Sequence, residues 1–181
     1  VRVRFRLGGA FFNYPSFWDI DNVGVYALGF DLKQTAELTS SPYTLEVGED
    51  STITTAFTNQ GMGDLGTGGA IESAYAYAYV NDMSGNELWY SAQSLGTMNM
   101  AYYETVDGIT TSYSGESSGE KTFNFPGMDT AGLYTVGVKV ASSAGPNAES
   151  LGDLFPTNND ANHMLIVGRS ADMGDPVLSG G

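Results

Sequence analysis

The sequence contains no cysteine, which excludes disulfide bridges, thiol chemistry and thiolate zinc sites. It contains one histidine, His163, and a Ser-His-Asp site would depend on that single imidazole. His163 lies in an alternating, strand-like stretch, so we expect it to be a packed or surface side chain. The Gly-rich runs lack the Lys-Ser/Thr of a phosphate-binding loop. Together these absences predict that the protein is not an enzyme.

Basic residues are also scarce. The chain has seven Lys and Arg residues and 21 Asp and Glu residues, so its net charge is -14. Nucleic-acid and anionic-membrane surfaces need clustered basic residues, so neither partner is expected. No apolar run approaches the ~18 residues of a membrane-spanning helix. A strongly acidic protein suits a secreted, extracellular or cell-surface setting. Because the first residue is Val1 rather than Met, we expect a processed N-terminus from which a secretion signal was removed.

No stretch shows the i, i+3, i+4 apolar spacing of a long amphipathic helix. The chain instead has 24 Gly together with many Thr, Ser, Tyr and Val residues, which is typical of short strands joined by turns. The sequence therefore predicts an all-β protein.

The first seven residues form a basic arm that alternates as an exposed strand does. One face of this arm consists of Val1, Val3, Phe5 and Leu7, and the other face consists of Arg2, Arg4 and Arg6. The arm carries +3, which leaves -17 for the rest of the chain. One interpretation is an ordinary edge strand whose arginines oppose aggregation. The other is a strand donated to a neighbouring copy, where its apolar face fills a groove and its arginines meet acidic residues.

Residues 45–61 (LEVGEDSTITTAFTNQG) predict a strand, a tight turn, a second strand and an Asn-Gln-Gly turn. In the second strand Ile53, Thr55 and Phe57 occupy alternate positions, which predicts a sandwich strand with one face inward. Further along, Asp107-Gly108 predicts a hairpin within residues 96–119.

Residues of this part resemble the CARDB family, the cell-adhesion-related domains of bacterial and archaeal surface proteins. The matching residues are Asp31, Leu32, Pro42, Val47, Gly48, Glu49, Asn59, Gln60 and Gly61. A second region, residues 131–136 (AGLYTV), is similar to the family's step into a long strand, and its Tyr134 resembles the tyrosine corner of Ig-like sandwiches. The family's Asn-Asn turn is matched by Asn158-Asn159, although Phe155-Pro156 replaces its preceding acidic residue.

This resemblance implies an Ig-like antiparallel β-sandwich of seven to nine strands over residues 31–168, in a surface protein. Residues 1–30 then form an N-terminal arm and extension, and residues 169–181 form a C-terminal tail. The segment 96–119 is longer than the family pattern and is interpreted as an inserted hairpin.

Two further segments contain candidate binding residues. In residues 71–80, Tyr75, Tyr77 and Tyr79 share one face, and the alanines between them suggest that another layer, such as the arm, approaches the opposite face. Cross-strand packing is the favoured use of these tyrosines, and a glycan-binding face is the alternative. In residues 147–160, the oxygen-bearing side chains of Asp153, Asn158 and Asp160 are candidates for Ca²⁺, against the alternative of a solvated loop.

The predicted function is a secreted structural subunit that assembles with copies of itself into an extracellular filament or surface layer. The proposed link between copies is donation of the N-terminal strand, a head-to-tail contact that extends without closing. The alternative is an adhesion or glycan-binding module of a larger cell-surface protein, which would use the tyrosine face or the aromatic residues of segment 11–18.

Overall fold

The computed structural model describes residues 29–35, 39–41, 44–64 and 66–169. The basic arm 1–7, the aromatic segment 11–18 and the tail beyond Arg169 lie outside the described residues. Within the described ranges there are thirteen strands and one short 3-10 turn, and no helix there is long and apolar enough to cross a membrane.

The strands follow one another with short connections, as the turn-rich sequence predicts. Their bounds are β1 Leu32–Gln34, β2 Thr39–Ser41, β3 Thr44–Glu46, β4 Ser51–Asn59, β5 Ala70–Ile71, β6 Tyr75–Asp82, β7 Glu87–Ser94, β8 Met98–Asn99, β9 Tyr102–Val106, β10 Ile109–Tyr113, β11 Ser117–Phe125, β12 Gly132–Ala141 and β13 Asp160–Gly168, with the 3-10 turn at Pro156–Asn158.

Two sheets form the sandwich. In the four-stranded sheet, β1 and β2 pair antiparallel with one edge of β4, and β11 pairs with its other edge. The five-stranded sheet has the order β3-β13-β12-β6-β7. Two small two-stranded sheets, β9-β10 and β5-β8, complete the described part. The all-β sandwich predicted from the sequence is therefore confirmed, and its nine main strands lie within the predicted number.

Period-two alternation puts the inward residues of both sheets into one core. The largest contributors are Phe57, Phe123, Phe125, Leu32, Ile53, Met98, Leu165, Val80, Val136 and Val138, all at most 2% exposed. Ala74, Ala76 and Ala78 belong to the same cluster. The expected approach of another layer to this alanine face is therefore confirmed, and that layer is the four-stranded sheet of the same domain.

The stretch 45–61 is strand, turn and strand, as the sequence predicts, with Gly48 at φ 76° in the turn. The strand β3 runs parallel to β13, while β4 forms the centre of the other sheet. The turn therefore carries the chain from one sheet to the other, so this stretch is a corner of the sandwich.

Local turn chemistry agrees with the sequence. Asp107 and Gly108 have φ of 52° and 78° and join β9 to β10, as a two-residue hairpin turn requires. The tyrosine corner is also confirmed, because the Tyr134 hydroxyl donates to the carbonyl oxygen of Thr130 at 2.9 Å. Both features are specified by residues that are close in sequence.

The Asn59 carboxamide joins three segments at the end of β4. Its Oδ1 accepts hydrogen bonds from the backbone N–H groups of Asp31 (3.3 Å) and Gly61 (3.1 Å), and its Nδ2 donates to the carbonyl oxygen of Met98 (2.9 Å). Asn59 is 1% exposed, so no bulk water replaces these bonds. A Cβ on Gly61 would collide with the carbonyl oxygen of Gly29, which explains the glycine of the Asn-Gln-Gly turn.

We predict that Asn59→Ala lowers the free energy of unfolding by about 2–4 kcal/mol, because it leaves buried backbone donors and an acceptor unpaired. Denaturant unfolding measures this change. Asn124→Ala, at an exposed position of β11, is the matched control and is expected to lie within about 0.5 kcal/mol of wild type. Equal stability of the two variants would contradict the structural role assigned to Asn59.

Candidate functional site

The outer face of the five-stranded sheet carries the tyrosines predicted for packing or glycan binding. Tyr77 is completely buried, and its ring stacks on Tyr90 with centroids 5.5 Å apart. Its hydroxyl donates to Glu87 Oε2 at 2.8 Å. Tyr77 is therefore a packing residue and offers no ring face to a sugar, whereas Tyr75 and Tyr79 remain partly exposed.

Burial, followed by the hydrogen bond and charge of Glu87, raises the pKa of Tyr77 far above its ordinary value. The pKa of Tyr79 is also raised, first by burial and then by the negative charge of Asp160. Both phenols therefore stay neutral well into the alkaline range and act as hydrogen-bonding groups.

Lys139 holds a loop against this face. Its Nζ donates to the carbonyl oxygen of Ala148 at 2.6 Å and lies 5.0 Å and 5.4 Å from the ring centroids of Tyr77 and Tyr79. An ammonium over aromatic rings is stabilised by their electron-rich faces. The backbone N–H of Leu151 donates to the carbonyl oxygen of Val140, which fixes the far end of the loop. Segment 142–151 thus forms a partial third layer over the sheet.

Glu87 links this loop to the tyrosines. While its Oε2 accepts from Tyr77, its Oε1 accepts from the backbone N–H of Asn147 at 2.7 Å. Asn147 has φ 52°, in the left-handed region that asparagine tolerates better than most residues. The sequence reasoning missed Glu87 and Lys139. The sequence signal that could have identified Lys139 was its position as an isolated lysine within the otherwise apolar strand GLYTVGVKVA.

A polar pocket of about 270 Å³ opens beside this cluster, and we call it the outer pocket. The side chains that define it are those of Tyr79, Asn81, Glu87, Lys139, Asn147 and Asp160. Strands β6, β7, β12 and β13 and the loop after β12 each contribute to it. The Oδ1 of Asn81 is buried without a hydrogen-bond partner among the described residues.

The structure places two of the calcium candidates, Asp153 and Asn158, at the start of β1, and the third, Asp160, elsewhere. Asp153 accepts hydrogen bonds from the backbone N–H groups of Leu32 (2.8 Å) and Phe155 (3.0 Å). Asn158 Nδ2 donates to Asp31 Oδ1 at 2.9 Å, so both residues anchor the segment at β1. Asp160 lines the outer pocket instead. Among the described residues, no group of three or more His, Asp or Glu side chains is arranged to hold a metal ion.

An apolar patch lies on the outer face of β12 and β13. Leu133, Met164 and Ile166 are 47%, 55% and 45% exposed, and Leu133 pairs directly with Ile166 across the two strands. We call these three residues the outer apolar patch. A groove of about 430 Å³ beside it is lined by Glu46, Glu49, Ile166 and Arg169, among others. His163 is an exposed residue of β13, as expected for a surface side chain.

No family model and no curated protein matches the chain. Among solved structures, it is similar to a crystal structure of the CARDB domain of the PF1109 protein from Pyrococcus furiosus in complex with di-metal ions, at 19% identity and a TM-score of 0.45. That match covers 79% of this chain and 97% of the other. A solution structure of the same CARDB domain matches at 15% identity and a TM-score of 0.44, with coverage of 78% and 97%. The C-terminal domain of wzt matches at 13% identity and a TM-score of 0.45, with coverage of 81% and 77%.

The resemblance to CARDB domains predicted from the sequence is thus found again among the structural neighbours. The class of the protein follows from the chain's own strand pairing and core, which define an Ig-like, all-β sandwich.

We predict that Tyr77→Phe weakens the loss of stability at alkaline pH. In wild type the unfolded phenol ionises from about pH 10 while the folded phenol stays protonated, so the folded state binds more protons and stability falls as pH rises. The limiting slope for one such group is about 1.4 kcal/mol per pH unit. Denaturant unfolding between pH 9 and 11.5 measures the slope, with Tyr75→Phe on the same strand as the matched control. An unchanged slope in Tyr77→Phe would contradict the prediction.

Proposed function

We propose that the protein is a non-enzymatic structural subunit of an extracellular or cell-surface assembly, in which the arm 1–7 of one copy docks onto the next copy. The single observation that carries this proposal is the outer apolar patch next to a groove that Glu46, Glu49 and Arg169 line. Apolar side chains that adjoin one another on a surface and are half exposed are typical of interaction sites.

The arm and this surface have complementary chemistry. The arm offers apolar side chains at alternate positions and three arginines between them. The surface offers Leu133, Met164 and Ile166 for the apolar positions, and Glu46 and Glu49 in the groove for the arginines. Opposite charges at an interface orient the partners and raise the association rate. Because the rest of the chain is strongly acidic, the basic arm is the segment that such a surface attracts most.

The backbone of β13 also has room for another strand. On the side away from β12, the strand β3 runs parallel to residues 166–168 of β13, so β13 lies near an edge of the five-stranded sheet. Sheet edges are where an extended segment adds as a further strand. Seven residues extend over roughly 23 Å at ~3.3 Å per residue, which suffices for this edge.

Donation from one copy to the next is a heterologous contact, because the donating arm and the accepting surface are different parts of the chain. Such contacts extend into filaments when the rotation between copies does not close a ring. The likeness to the CARDB domains of surface proteins, together with the acidic composition, supports an extracellular or cell-surface location.

We predict that deletion of residues 1–7 abolishes assembly and leaves monomers, because the donated strand is gone. Replacing Arg2, Arg4 and Arg6 by Glu should have the same effect, since like charges would then face the groove. Negative-stain electron microscopy and size-exclusion chromatography measure the outcome. Replacing the same three arginines by Lys keeps the charge and is expected to retain assembly. Normal filaments from the deletion variant would refute strand donation.

We further predict that Ile166→Lys blocks acceptance while leaving donation intact. It removes the central side chain of the outer apolar patch and adds a positive charge facing the arm. Mixing Ile166→Lys chains with chains lacking residues 1–7 should yield discrete dimers, because one variant only donates and the other only accepts. Leu88→Lys, at an exposed apolar position of β7, is the control and should assemble like wild type. Filaments from Ile166→Lys alone would exclude this surface as the acceptor.

A further inference from the structure

The hairpin β9-β10 stands apart from both sheets of the sandwich. Among the described residues, its two strands pair only with each other. The hairpin is held at its base, where the Tyr102 ring lies against Gly68 and the carbonyl oxygen of Tyr103 accepts a hydrogen bond from the backbone N–H of Gly66. A two-stranded hairpin is marginally stable in water unless one of its faces packs against something else.

One face of this hairpin is apolar and exposed. Residues that pair directly across antiparallel strands share a face, and so do alternate residues of a strand, which places the Tyr102-Tyr113 and Val106-Ile109 pairs on one face. The two tyrosine rings stack with centroids 4.4 Å apart. Val106, Ile109 and Tyr113 are 57%, 72% and 41% exposed. We call these four residues the hairpin face, and adjoining exposed apolar side chains of this kind mark an interaction site.

The N-terminal part of the chain enters the described structure beside this hairpin. Gly29 forms a bridge with Met62, and Met62 forms a second bridge with Ala101, the residue immediately before β9. Paired strands lie about 5 Å apart, so two bridges place Gly29 about 10 Å from the base of β9. Residues 1–28 are therefore attached next to the hairpin face.

Length and composition favour the aromatic segment 11–18 as the group that covers this face. Trp18 precedes Gly29 by eleven positions, which extend over up to ~36 Å, whereas the five residues of β9 span only ~17 Å. The segment has five aromatic side chains and no charged one. Pro15 disfavours regular strand pairing, so we expect the aromatic side chains rather than the backbone to make the contact.

The hairpin face of a second copy is a poorer match. The hairpin carries Glu104 and Asp107, so two such hairpins would bring like charges together in chains of net charge -14. The uncharged segment 11–18 adds no repulsion. Because it belongs to the same chain, its effective concentration at the hairpin is also high.

We propose that the aromatic segment 11–18 packs against the hairpin face of its own chain. The inserted hairpin of residues 96–119 then anchors the N-terminal extension, so that the arm 1–7 leaves the domain from a fixed place. This contact goes beyond the assembly proposal and does not depend on where the arm docks.

Tryptophan fluorescence of the full chain tests the contact. The chain has two tryptophans, so Trp89→Phe makes Trp18 the only one. Replacing Val106 and Ile109 by Ser should raise acrylamide quenching of Trp18 about twofold, because the indole loses its apolar cover. Met83→Ser removes a similarly exposed side chain from the β6-β7 turn and should leave quenching unchanged. Equal quenching in the hairpin variant and this control would overturn the proposal.

A second measurement leaves the hairpin sequence and Trp89 intact. Replacing Phe17 and Trp18 by Ser should speed amide hydrogen exchange in β9 and β10 about tenfold and leave β12 unchanged, because only the hairpin loses a packed neighbour. Unchanged exchange in β9 and β10 would overturn the proposal even if the fluorescence variants fail to fold.

Both measurements are repeated with a chain lacking residues 1–7, which retains the segment. The same results there support packing within one chain whether or not copies assemble, so failure of the assembly proposal stays distinguishable from failure of this one. Trp18 quenching that rises on dilution of this shortened chain would indicate contact between chains and overturn the proposal.

Discussion

The hydrogen bonds of the Asn59 carboxamide are the constraint on which the described structure depends most. One side chain at the end of β4 ties the start of β1 to the strand β8, and the backbone N–H of Asn59 itself donates to the carbonyl oxygen of Glu116, just before β11. The backbones meet so closely here that a Cβ on Gly61 or Gly115 would collide with a carbonyl oxygen. The strands β1 and β11 on the two edges of β4 are therefore positioned from a single corner, and the four-stranded sheet can present a continuous inner face to the core.

The five-stranded sheet is stabilised on both of its faces. Its inner face contributes valines and alanines to the core, and part of its outer face is covered by the loop that Lys139 and Glu87 hold down. Gly137 matters in this arrangement, because a Cβ there would collide with the Tyr79 ring that crosses β12. This third layer turns an exposed sheet surface into a pocket with fixed walls.

The outer face thus has two regions of different character. At the Leu133 and Ile166 pair the face is apolar and adjoins a groove lined by charged residues of both signs, whereas at the Lys139 and Asp160 pair it is polar and concave. A subunit that joins its neighbours through the first region keeps the second one open.

The sequence by itself determined the local features. Alternation in residues 51–59 and 132–141, the Asp107-Gly108 turn and the Tyr134 corner were all predictable, because each depends on residues a few positions apart. The sequence also determined which residues of a strand share a face, because successive side chains point to opposite faces of the sheet. Only the tertiary structure decided which face is buried and that β3 pairs with β13 rather than with β4. It also decided that Asp153 accepts a hydrogen bond from the backbone of β1, whereas Asp160 lines the outer pocket. The pocket itself needs contacts such as Glu87 to Asn147, sixty residues apart, and no local pattern encodes a contact of that range.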